Sequence, residues 1–166
     1  PAWEMESEAL AATMDTNLYG VHHMARAFVP QMLVSGRGVF ISISSGSGRS
    51  TGATKAAYAS SKFAVEAYTK CLAHALPAPL IAVPLAPGTL RTELNPSSPV
   101  PTSDVWAVDA VPFIVSLCDP AKRHTVHGAS LSVPGYYAQG YVDSWIIRDG
   151  QPRLPEAKGS ARFVEN

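Results

Sequence analysis

The sequence is poor in cysteine and poor in charge. Its 166 residues include two cysteines, Cys71 and Cys118. Two are too few for a disulfide framework or an all-thiolate zinc site, which points to a reducing compartment, the cytoplasm. Charged residues make up 16%, against roughly 25% in ordinary soluble domains. Thirteen Lys and Arg balance thirteen Asp and Glu. That balance excludes a strongly basic nucleic-acid binder and an acidic tail protein. Long apolar runs are also missing: stretches such as Val111–Cys118 fall far short of a bilayer span. Internal repeats and low-complexity tracts are absent, and so is a Gly-x-Ser-x-Gly nucleophile elbow.

What is present suits one globular core, since 46% of residues are apolar. Residues 5–33 carry apolar side chains three and four apart, at Leu10, Met14, Leu18, Val21, Ala25, Phe28 and Met32. This predicts a long helix that Pro30 should bend or end. Val39–Ile43 reads as a buried strand, 44–54 as a Ser/Gly-rich loop, and 56–76 as a second helix closed by Pro77 and Pro79. Leu80–Leu85 reads as a second strand, weakened by Pro84, which cannot donate to a ladder. A proline-rich loop over 87–101, a helix over 108–118 and a strand over 125–133 follow. Residues 136–166 read as an irregular tail, with Trp145, Ile146 and Ile147 as its anchor.

Helices alternating with apolar strands imply an α/β fold. The expected core is a parallel sheet with right-handed crossovers and helices on both faces. Ligands of such sheets sit beyond the carboxyl ends of the strands. The residues to weigh therefore lie in the loops after Ile43, Leu85 and Val133.

Tyr58 and Lys62 are four apart at the start of the second helix, which brings their side chains onto one face. An ammonium beside a phenol favours the phenolate, and such a pair can move a proton to or from a carbonyl/alcohol couple. An ordinary helix with a half-buried tyrosine and a solvated lysine has the same spacing. Ser45, thirteen residues before Tyr58, can hydrogen-bond a substrate oxygen or merely cap a turn. Asn17 lies among Met14, Leu18 and Val21 on an apolar stripe, where its amide needs partners. Water, a backbone carbonyl or a purely structural bridge would serve. Cys71 and Cys118 read as core residues. His22, His23, His74, His124 and His127 show no metal-ligand spacing, so no metal site is expected. Trp106, Tyr136, Tyr137 and Tyr141 could each line a pocket or simply pack.

Asn17-Leu-Tyr-Gly20, Val39-Phe-Ile-Ser-Ile-Ser-Ser45, Tyr58-Ala-Ser-Ser-Lys62 and Pro87-Gly-Thr-Leu-Arg-Thr92 resemble, in order and spacing, the short-chain dehydrogenases/reductases. The resemblance implies a partial doubly wound, Rossmann-like parallel sheet. Residues 1–135 would form the C-terminal part of that domain, and 136–166 its tail. It implies Tyr58 as acid/base, with Lys62 promoting its ionisation and holding the nicotinamide ribose. Ser45 would orient the substrate oxygen, and Asn17 would hold a water in a proton relay. Tyr58, Lys62, Pro87, Gly88, Leu90 and Thr92 would bind NAD or NADP. It further implies a small alcohol or ketone substrate, and a homo-oligomer built on helices 5–33 and 56–76, with no nucleic-acid or membrane partner.

The family's phosphate-binding glycine turn precedes anything matched here. Gly46-Ser-Gly48-Arg-Ser-Thr-Gly52 mimics it with a gap one residue too long. Together with the Pro1 start, this leads to the expectation of a fragment without the phosphate-binding half. Two readings stand side by side: an NAD(P)(H)-dependent oxidoreductase interconverting a secondary alcohol and a ketone, and a catalytically silent module for interaction or dimerisation.

Overall fold

The computed structural model describes residues 1–88, 90–93, 96, 103–132, 145–148 and 151–153. The long first helix forms in two parts, α1 (Ser7–Met14) and α2 (Gly20–Ser35), joined by a π-helical turn over Asp15–Tyr19. The apolar spacing foretold one continuous helix. Such a turn keeps the chain helical while inserting one extra residue, so periodicity does not reveal it. Pro30 does not end α2, which runs on to Ser35 and stops at Gly36 with φ +65°. That left-handed angle suits glycine.

Strand β1 (Val39–Ile43) pairs in parallel with β2 (Ile81–Ala86), across helix α3 (Ala56–Ala75). Pro84 stands opposite Ser42, and β2 meets β3 (Leu131–Ser132) only at Leu85 and Ala86. The ladder to β3 thus begins beyond the residue that lacks an N–H. Helix α4 (Ser103–Ser116) and the single-turn α5 (Arg123–Val126) lie between them. The strand expected over 125–133 shortens to two residues. Thr125 and Val126 close α5, and Gly128, at φ +74°, turns the chain. Two further strands, β4 (Trp145–Arg148, parallel to β3) and β5 (Gln151–Arg153, antiparallel to β4), complete a sheet of order β1-β2-β3-β4-β5. They fall inside the stretch expected to be irregular, with Trp145, Ile146 and Ile147 in β4.

Period-two alternation in β2 divides the core. Ile81, Val83 and Leu85 pack with Ala110, Phe113 and Leu117 of α4, Val126 and Leu131. Leu80 and Ala82 pack on the other face with Phe40, Ala25 of α2, and Ala73 and Leu76 at the end of α3. Both faces are covered, as the apolar strands require. Helices α3 and α4 therefore lie on opposite faces, although β1, β2 and β3 follow one another in one direction. The two crossovers have opposite hands, and the expectation of uniformly right-handed connections fails for one of them. The 87–102 connection is long enough to carry the chain over the sheet end onto its other face. Among the described residues no helix is long and apolar enough to cross a membrane.

Candidate active site

The carboxyl end of β1 delivers Ser44 and Ser45 to the site. The Ser44 N–H donates to the Leu85 carbonyl at 2.8 Å, extending the ladder one residue past the strand. Ser45 then caps a 3₁₀ turn over Gly46–Gly48, and its Oγ accepts from the Ser47 N–H at 3.2 Å. The capping alternative is thus what the structure displays, and the Ser45 hydroxyl keeps its own proton free to donate.

Helix α3 starts at Ala56, so Tyr58 and Lys62 fall on its first turns. Tyr58 is 43% exposed. Its hydroxyl has no hydrogen-bond partner among the described residues. Lys62 turns inward and is 9% exposed. Its Nζ donates to the Ile43 carbonyl at 3.0 Å and stands 5.7 Å from the centre of the Tyr58 ring. That is within cation–π range. Burial pushes the Lys62 ammonium below its ordinary pKa. The pair does share a helix face, but its lysine is neither solvated nor idle: it ties α3 to the end of β1.

Asn17 occupies the π-helical turn. Its Nδ2 donates to Ser61 Oγ at 2.9 Å, and Ser61 Oγ donates to the Tyr58 carbonyl at 2.8 Å. Asn17 is thereby joined to the helical turn that carries Tyr58 and Lys62. Of the 87–92 stretch, Pro87, Gly88 and Leu90 are half-buried and Thr92 is exposed. No hydrogen bond joins these four to Ser45, Tyr58 or Lys62 among the described residues. Thr89, Val133, Tyr136, Tyr137 and Tyr141 lie outside the described residues. Trp106 lies on α4 and packs against the α4 side of the core. Both cysteines are free and exposed rather than core residues, since each falls on the solvent side of its element.

An open groove of about 1300 Å³ runs along β1 on the side away from β2. Met24 and Phe28 of α2 form one wall, Leu117 and Cys118 close the far end, and Asn17 and Lys62 stand at the near end. Ser45 and Tyr58 do not line it.

The residues present suit one half of a dinucleotide. A buried ammonium, an unpartnered phenol and a strand-end loop with exposed Thr92 are the donor set a nicotinamide riboside needs. The glycine-rich turn does not suit the phosphates. A Cβ at Gly48 would lie 2.8 Å from the Lys62 carbonyl oxygen and 2.9 Å from Ser44 Oγ. This glycine makes room for α3, not for a ligand.

Three functional-looking residues escape the sequence reading. Arg49 and Glu66 form a buried ion pair at 2.9 Å. His127 accepts from the Ala82 N–H at 3.1 Å through Nδ1 and donates from Nε2 to the Ala73 carbonyl at 2.7 Å. The available signal was Glu66 itself: it lies on the buried stripe of α3 with Ala59, Lys62, Val65, Thr69 and Ala73, where a carboxylate needs a partner.

Residues 1–100 match the family model described as short chain dehydrogenase. The chain is 37% identical to the NADPH-dependent pterin aldehyde reductase of Arabidopsis thaliana over 121 residues, which is 69% of this chain and 50% of that protein. A short chain dehydrogenase from Shigella flexneri, solved with NADP, superimposes with a TM-score of 0.68 at 26% identity, over 80% of this chain and 56% of that one. A gluconate 5-dehydrogenase from Burkholderia cenocepacia, solved with NADP and tartrate, gives 0.63 at 28% identity, over 81% and 58%. The chain thus spans about half the length of these proteins.

Proposed function

This chain belongs to the short-chain dehydrogenase family, and we propose on that footing that its site serves the interconversion of a secondary alcohol and a ketone in a small molecule. Tyr58 donates a proton to the carbonyl oxygen in reduction and removes it from the hydroxyl in oxidation. Ser45 holds the same oxygen with its free O–H. Lys62 keeps a positive charge beside the Tyr58 ring, and Asn17 braces the helical turn that carries both while holding a relay water. NAD or NADP would supply or accept the hydride when bound, held by Tyr58, Lys62, Pro87, Gly88, Leu90 and Thr92. The observation that carries this reading is the Lys62 ammonium, buried and 5.7 Å from the ring of an exposed Tyr58 whose hydroxyl is unpartnered.

In this reading residues 1–135 are the C-terminal part of the catalytic domain, acting in the cytoplasm. A homo-oligomer forms through helices 5–33 and 56–76, supported by exposed Met24, Phe28, Leu33 and Phe63. Hydride transfer, followed at the nicotinamide absorbance for wild type and Tyr58→Phe, tests the central claim. The variant should lose a factor of roughly 10² to 10⁴; equal rates would overturn it.

The crowding at Gly48 favours a second reading, a silent interaction module that binds no dinucleotide. Calorimetry with NADH and NADPH separates the two, because micromolar binding would sink the silent module.

A further inference from the structure

The turn that carries Ser45 is gripped from both ends by one carboxylate. Ser44 Oγ donates to Glu66 Oε1 at 2.6 Å, and Arg49 donates to the same oxygen through Nε at 3.0 Å and Nη2 at 2.9 Å. Glu66 Oε2 accepts from Ser130 Oγ at 2.6 Å. Arg49 also reaches the end of β3, donating to Ser132 Oγ at 2.8 Å and to the Leu131 carbonyl at 2.9 Å. Glu66 is 5% exposed and lies one helical turn beyond Lys62, as Lys62 lies beyond Tyr58. Gly48 packs directly onto this stretch: a Cβ there would meet the Lys62 carbonyl, Ser44 Oγ and Glu66 Cγ.

We propose that Arg49 and Glu66 are positioning residues that fix the Ser45 hydroxyl relative to the Tyr58–Lys62 turn of α3; this rests on the catalytic reading above. The anchor and the two residues it registers share one stripe of one helix. The distance from Ser45 to that stripe is therefore set by a bidentate, charge-assisted contact rather than by the flexible Gly-Ser turn itself. Stability alone is a poor reason to keep such a pair, because burying both charges costs about as much as their attraction returns. Geometry is the better one, since a reacting group displaced by about 1 Å can cost a hundredfold in rate. Lys70, half-exposed with Nζ 4.0 Å from Glu66 Oε2, adds little.

Two measurements on Arg49→Ala test this. Amide exchange over residues 45–49 should quicken at least tenfold while β2 exchanges as in the wild type. Unchanged exchange in the turn, or equal quickening in β2, overturns the proposal. Hydride transfer should show kcat reduced tenfold or more, the dinucleotide KM within twofold, and recovery on adding millimolar guanidinium. An unchanged kcat, or a loss carried wholly by KM, overturns it. Should Arg49→Ala not fold, Ser44→Ala carries the same comparison with one bond removed. Tyr58→Phe in the same assay judges the catalytic reading separately. If that variant keeps its rate, the reading fails, while the exchange data still decide whether the clamp exists.

Discussion

The Lys62 ammonium donates to the Ile43 carbonyl at 3.0 Å, so one buried cation ties the first turns of α3 to the last residue of β1. The contact has a cost, because burial disfavours the charge. Lys62→Met should therefore change folding stability by no more than about 1 kcal/mol, since the lost hydrogen bond is offset by the desolvation relieved. Activity should fall far more than stability. Urea unfolding beside a rate assay checks this; a stability loss of several kcal/mol with normal turnover would make Lys62 a structural residue only.

His127 makes stability depend on pH. Its Nδ1 accepts from Ala82 and its Nε2 donates to Ala73, a pattern only the neutral ring satisfies. Desolvation by burial lowers its pKa first, and the nearby charges of Arg123 and His74 add to this against the Ala73 bond. The unfolded chain then takes the proton before the folded one does. The contribution is fully present above the unfolded value, about 6.5, and is lost as pH falls through the folded value. The expected outcome is a wild-type stability that drops between roughly pH 6.5 and 5, more steeply than in His127→Gln. Parallel slopes would contradict it.

Gly48→Ala should destabilise by about 1–3 kcal/mol through overpacking, because the new methyl meets the Lys62 backbone oxygen, which cannot swing away. Gly52→Ala, where the nearest atom is Lys55 Cδ at 3.6 Å, should be close to neutral. Thermal melts of the two variants give the comparison.

Ser42 and Thr69 form a buried hydroxyl pair at 2.6 Å, and Thr69 Oγ1 also donates to the Val65 carbonyl at 2.8 Å. The proton between them thus belongs to Ser42. Ser42→Ala leaves Thr69 satisfied and should cost about 0.5–1.5 kcal/mol. Thr69→Val strands the buried Ser42 O–H and should cost about 1–3 kcal/mol. A reversed order, measured in urea, would refute this assignment.

Phe113 is fully buried on the α4 side of the core, against β2. Phe113→Ala should cost about 3–5 kcal/mol, enough to unfold much of the population at 37 °C. A native-like circular dichroism spectrum and melt would argue against α4 as a pillar of the sheet.

Elements whose periodicity is carried by many residues were legible in the sequence. Helix α3 and strands β1 and β2 lie within a residue of where their apolar spacing and the flanking Gly and Pro put them. Features decided by one or two residues were not legible. The π-helical turn leaves the apolar spacing of the first helix almost intact. The two-residue β3 depends on the positive φ of Gly128. The hand of the second crossover depends on which way a long loop travels. At the site, Tyr58, Lys62, Ser45 and Asn17 could be picked out because they are polar groups at helix or strand ends. Their partners could not, since the Ile43 carbonyl and the Ser61 hydroxyl are long-range contacts. Arg49 and Glu66, seventeen residues apart, meet only because the Ser45 turn folds back onto α3.

The five-residue π-turn at Asp15–Tyr19 acts as a phase shifter. With 3.6 residues per turn, one residue is worth about 100° of rotation. Deleting a single residue there would restore an uninterrupted rod, but would swing Ser7–Met14 by about a quarter of a revolution against Gly20–Ser35. Asn17 would leave Ser61, and the apolar stripes of the two halves would no longer face the same way. A chain-length change of one, harmless in most helices, would here reorient an entire wall of the molecule.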